Sequence, residues 1–121
     1  MTLPTVAAAT IDCGDSVRSV QFAPDCQPGA CYHIAAGLES GAVQLLRLTA
    51  QDGGQPQLAI AGHELLWQSQ RYEQHAAAVR RLCWRRDSEE GQAAEAPGQQ
   101  RRYLLASCSE DHSLRVFAVD L

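Results

Sequence analysis

"LLASCSEDHSLRVF", Leu104 to Phe117, places two apolar runs on either side of Ser109-Glu110-Asp111-His112. Short polar side chains and a position tolerant of left-handed backbone favour a tight turn, so the stretch predicts a β-hairpin. Its meaning depends on whether it recurs. Ala35 to Leu46, "AAGLESGAVQLL", lies over Ala106 to Phe117, "ASCSEDHSLRVF", without a gap. Upstream, Val17, Val20 and Phe22 of "VRSVQF" answer Val79, Leu82 and Trp84 of "VRRLCW". The copies differ in length after Trp84, where "RRDSEEGQAAEAPGQQRR" reads as a polar surface loop.

Repetition at this scale is the mark of a propeller or solenoid, and the repeated unit here is all strand. Strands are expected near 16–23, 31–37, 42–48 and 64–70, then near 79–85, 103–109 and 113–119, with a candidate leading strand near 5–11. Short polar turns between them imply antiparallel sheets, because parallel pairing would need helical crossovers. Alternation along each strand assigns Val17, Val20, Phe22, Ile34, Ala36, Val43 and Leu45 to packed interior in the first unit. The same argument assigns Val79, Leu82, Trp84, Leu105, Leu114 and Val116 in the second.

Composition narrows the function classes. A chain of 121 residues is at most one domain. No apolar run approaches the ~20 residues of a membrane-spanning helix, and no basic-then-apolar leader follows Met1. A reducing compartment is therefore the expectation. Cys13, Cys26, Cys31, Cys83 and Cys108 form an odd set without a CxxC pair, which argues against a disulfide framework and a zinc ribbon alike. A formal net charge of -4 gives no general attraction to nucleic acid or acidic membranes.

Gln74-His75, the strand "VRRLCW", "LASCSED" and "LRVF" together resemble the WD40 repeat, whose four-stranded units form propeller blades. More narrowly, "VRRLCW" before a charged insertion, "ASCSEDHSLRV", and "IAAGLESGAVQL" one unit earlier are similar to the last repeats of the second-subunit family of Elongator, the complex that modifies wobble uridines of transfer RNA. The resemblance implies about two antiparallel blades of an incomplete ring. Residues 1–12 would form a leading segment, 13–72 a first unit, and 73–121 a second unit with its insertion near 86–102. It also implies a non-catalytic scaffold without cofactor or metal, held among the other subunits of a multiprotein complex. Transfer RNA would be met only indirectly and membranes not at all. The compartment would be the cytoplasm, with the nucleus left open. An interaction module of another WD40 assembly, such as a substrate receptor for ubiquitin transfer or a trafficking coat, is the alternative.

In the WD40 family a histidine, a serine, a turn aspartate and a tryptophan share a buried hydrogen-bond network. Here those positions hold His75, Ser107, Asp111 and Phe117, so the resemblance implies a network shortened to His75, Ser107 and Asp111. The first unit carries Ala36, Ser40 and Leu46 instead, and no such network is expected there. His112 falls where glycine is usual and should face solvent.

Other chemistry finds less support. Cys83 and Cys108 sit on expected strands and read more simply as small core residues than as nucleophiles. Cys26, Cys31 and His33 have ligand-like spacing, but no fourth zinc ligand lies nearby in sequence. Arg80, Arg81, Arg85, Arg86, Arg101 and Arg102 concentrate positive charge and are a candidate patch for RNA or a partner. Asp87, Glu89, Glu90 and Glu95 favour the simpler reading of a solvated loop. Two units cannot close a ring, and the second lacks an outer strand. The chain alone is thus expected to aggregate or pack loosely.

Overall fold

The computed structural model describes residues 9–24, 31–50, 60–86 and 102–121. Among the described residues seven strands form two antiparallel sheets. β1 (Val17–Phe22), β2 (Cys31–Leu38), β3 (Val43–Ala50) and β4 (Ile60–Gln68) make a four-stranded sheet in chain order. β5 (Val79–Arg86), β6 (Arg102–Ser109) and β7 (Leu114–Asp120) make a three-stranded one. The fold is all-β, and the two antiparallel sheets, of four and three strands, are consistent with the incomplete blades expected from the sequence. Among the described residues no helix is long and apolar enough to cross a membrane. The insertion after Arg86 lies outside the described residues, as does most of the candidate leading strand. Residues 9–12 carry no strand.

The repeat seen in sequence reappears as register. Val17 pairs with Leu38 and Ser19 with Gly37, leaving Arg18 as an extra residue between them. Val79 pairs with Ser109 and Arg81 with Cys108, leaving Arg80 in the same position. Both irregularities are β-bulges, which bend a strand and re-aim a side chain. The hairpin closes alike in both sheets, on Gly37 opposite Val43 and on Cys108 opposite Leu114. Its turn ends with positive φ in both, +97° at Gly41 and 70° at His112. β4 starts earlier than the sequence pattern suggests, because β3 runs on to Ala50 and pairs it with Ile60.

One face of each sheet lies against the other sheet. Ala35, Val43 and Leu45 meet Val79, Leu82, Leu105 and Val119 in a single buried cluster, with Trp67, Trp84, Phe117 and Leu121 packed around it. Leu105 has no exposed surface. Two aromatic contacts flank this seam. Trp67 meets Phe117 edge to face at 5.2 Å. Trp84 lies against Tyr103 and donates its indole N–H to the Gln21 carbonyl across the seam at 3.2 Å. At Gly37 a Cβ would collide with Val79, so the close approach of the sheets requires glycine there.

The opposite faces are largely open, which corrects part of the expected core. Ala36, Val43, Leu45, Val79, Leu82 and Leu105 are buried, and Ile34 and Trp84 are half-buried. Val17, Val20, Phe22, Leu114 and Val116 are exposed, Leu114 by 70%. Alternation identifies which residues share a face but not whether anything covers it. On the first sheet's outer face, Ile11 and Cys13 pack beside Ile34 onto the buried group of Ala36, Leu38, Ala42 and Leu46, while Val20 and Phe22 stay bare. Cys83 and Cys108, expected as core residues, are exposed for the same reason.

Candidate functional site

The loop between β4 and β5 carries His75 into the space beside the β6–β7 turn. His75 and Ser107 are 2% and 1% exposed. The imidazole Nε2 lies 2.8 Å from the Ser107 hydroxyl. Nδ1 lies 3.3 Å from Asp111 Oδ2 and 3.1 Å from the Ser113 hydroxyl. Asp111 as a carboxylate can only accept, so in the neutral imidazole Nδ1 carries the hydrogen and Nε2 accepts from Ser107. Asp111 is further engaged: Oδ2 accepts the Ala76 N–H at 2.8 Å, and Oδ1 accepts the Ser113 N–H and hydroxyl at 2.9 and 2.6 Å. These bonds, the Ser113 hydroxyl first and then the Ala76 N–H, hold its carboxyl well below the usual carboxylate range. The arrangement pins loop, strand and turn together. Phe117 lies apart from it, against Trp67.

Ser113 extends this group beyond the three residues read from sequence. Its signal was present, since a serine two positions after a turn aspartate readily closes an Asx turn. The first sheet makes the equivalent connection with the polarity reversed. Asp15, in the loop before β1, accepts the Ser40 N–H of the turn at 2.8 Å and the Ser16 N–H at the same distance. Those two backbone bonds, the one from Ser16 first, lower its carboxyl pKa. Ala36 gives no partner inside the blade, and an acceptor on the loop does what an acceptor on the turn does in the second.

A backbone bond repeats alongside: the Glu39 N–H donates to Ser16, and the Glu110 N–H to Ala78. So does an ion pair, Arg18 with Glu39 at 3.1 Å and Arg80 with Glu110 at 2.6 Å. The two bulge arginines thus reach the turn glutamates of their own sheets. The charge concentrated in the sequence is divided by the fold. Arg80 and Arg81 stand at one end of β5, and Arg85 and Arg86 at the other. There Arg102 pairs with Asp120 at 3.1 Å. Arg101 lies outside the described residues. Arg18, absent from the sequence-based patch, lines a polar cavity of about 430 Å³ with Val17, Arg80 and Arg81. Its signal was the alignment of "VRSV" with "VRRL".

Cys31 and His33 share a face of β2, and Cys26 lies outside the described residues. Among the described residues no group of three or more His, Cys, Asp or Glu side chains could hold a metal ion. Among the described residues one apolar hollow and one of mixed character are open. Phe22, Tyr32, Ile34 and Leu48 line one of about 370 Å³ on the first sheet's outer face. Trp67, Phe117 and Leu121, with Glu73 and Asp120, line another of about 630 Å³ along β7.

Paired sheets with matching bulges, turns and loop-to-turn contacts form a repeat array, and comparison with known proteins gives it a more specific likeness. The chain is similar to Elongator complex protein 2. It is 29% identical to the human protein over 113 residues, which is 93% of this chain and 13% of that protein. It is 27% identical to the mouse protein over 123 residues, covering 93% and 14% respectively. The rat protein gives 26% identity over 113 residues. The matched part is the C-terminal region of these relatives. The chain therefore spans only 13 to 14% of the length of the curated relatives it matches. No family model matches it.

Proposed function

We propose that these sheets are WD40 blades of an Elongator second subunit, and that they act as a scaffold for wobble-uridine modification of transfer RNA rather than as a catalyst. The observation that carries this reading is the similarity to Elongator complex protein 2 across 93% of the chain. Two features of the molecule support a structural role. Its polar group of His75, Ser107, Asp111 and Ser113 is bonded within itself and to the Ala76 N–H, which links loop, strand and turn. Its outer sheet faces present Phe22, Leu114 and Val116 to whatever packs there. Apolar surface of this kind marks interaction sites.

The test is copurification. Tagged protein expressed in cells should recover the other Elongator subunits, and its deletion should lower modified wobble uridine in purified transfer RNA. Recovery of subunits of a ubiquitin ligase or a trafficking coat, with modification unchanged, would replace this reading with the alternative.

A further inference from the structure

The polar cavity between β1 and β5 has one chemical character. Among the described residues it is lined by Arg18, Arg80, Arg81 and Val17, and none of them is acidic. Two of the three arginines are the extra residues of equivalent bulges, so their convergence follows from the repeat. It is fixed by backbone geometry: the Ser19 hydroxyl donates to the Val79 carbonyl at 3.2 Å and ties the two bulges together. Arg18 and Arg80 are compensated from outside the cavity by Glu39 and Glu110. Both pairs are about half exposed, a setting in which ion pairs are weak and exchangeable. Arg81 has no acidic partner among the described residues. One guanidinium is thus left over, beside two that can share a guest.

We propose that this cavity binds an acidic segment of a partner protein, seating a glutamate or aspartate side chain among Arg18, Arg80 and Arg81. The guanidinium fork matches a carboxylate with two parallel hydrogen bonds. About 430 Å³ accommodates one or two such side chains. A nucleic acid fits less well. Its successive phosphates would run past the cavity onto Glu39, Glu110 and Asp15, on a chain whose net charge is already -4.

Two fluorescein-labelled peptides of equal length, one alternating Glu with Ala and the other Gln with Ala, would be titrated against the full chain by anisotropy. The glutamate peptide should bind, more weakly as salt rises, and the glutamine peptide should not. Arg81→Ala and Arg81→Gln should each weaken the glutamate peptide about tenfold. Arg71→Ala, an exposed arginine outside the cavity, should not. Circular dichroism of each variant should match the unaltered chain. Any of four results would overturn the proposal: no binding of the glutamate peptide, equal binding of the glutamine peptide, equal loss in Arg71→Ala, or tighter binding of an oligouridylate of the same charge.

Discussion

Ser107 and Asp111 serve the same imidazole but differ in what their removal leaves behind. Ser107 is fully buried and supplies the hydrogen that Nε2 accepts. Ser107→Ala leaves that nitrogen unpaired away from water, and should cost about 1 to 3 kcal/mol in urea unfolding. A loss below about 0.5 kcal/mol would mean that solvent reaches Nε2. Asp111 contributes through its charge. Its folded pKa lies below the unfolded value of about 3.9, so its stabilisation is fully present above that pH and is lost as pH falls through the folded value. The urea midpoint should therefore drop as pH falls from about 5 toward 2. Asp111→Asn should lower the midpoint at neutral pH and flatten that drop. Asp15, held in the same way, will retain part of it. An unchanged slope in Asp111→Asn would show that the acid sensitivity arises elsewhere.

At the scale of elements, the two hairpin turns share a shape but not a sequence. Gly41 and His112 both have positive φ, and only glycine adopts it without crowding at Cβ. His112 is exposed, so the strain there is local. His112→Gly should raise stability by about 0.5 to 1 kcal/mol. Gly41 is different, because a Cβ there would run into the carbonyl oxygen of His75. The His75 N–H also donates to the Gly41 carbonyl at 3.0 Å, so this turn positions the loop that carries the imidazole. Gly41→Ala should cost about 2 to 4 kcal/mol. It should also weaken the His75 contacts, visible as a shifted imidazole resonance. Substitutions of equal and small effect at both turns would argue against the contact between turn and loop.

For the whole molecule, one buried seam joins two sheets whose outer faces are partly covered on the first and exposed at Leu114 and Val116 on the second. Leu114 and Val116 stand on the outside of the second sheet with Cys83 and Cys108, beside an edge of β7 that no strand of the described residues pairs. An exposed apolar face beside an open strand edge favours pairing with other chains. The isolated chain should therefore self-associate as its concentration rises, while in dilute solution it should give a measurable but shallow urea transition. The double substitution Leu114→Lys with Val116→Lys should shift it toward monomer in sedimentation velocity with strand content unchanged by circular dichroism. Unchanged self-association would place the contact elsewhere, on the hollow of Phe22, Tyr32 and Ile34 or at another edge.

What the sequence determined alone was whatever depends on near neighbours along the chain. Period-two alternation and turn chemistry located all seven strands, and the overlay of "AAGLESGAVQLL" on "ASCSEDHSLRVF" carried the register of one sheet to the other. His75, Ser107 and Asp111 came from the resemblance of these strings to a repeat family whose pattern names the positions, and not from local chemistry. The tertiary structure decided what depends on who covers whom. Val20, Phe22, Leu114 and Val116 alternate as faithfully as Val43 and Leu105, yet only the second pair meets another sheet. Arg18 gained a role only when two bulges, distant in sequence, were placed side by side. Asp15 took over the turn contact because a loop folded back over Ser40. Strand identity is a local property of the backbone and its side-chain pattern. Burial, and the company a charge keeps, are set by the approach of surfaces that the chain specifies far apart.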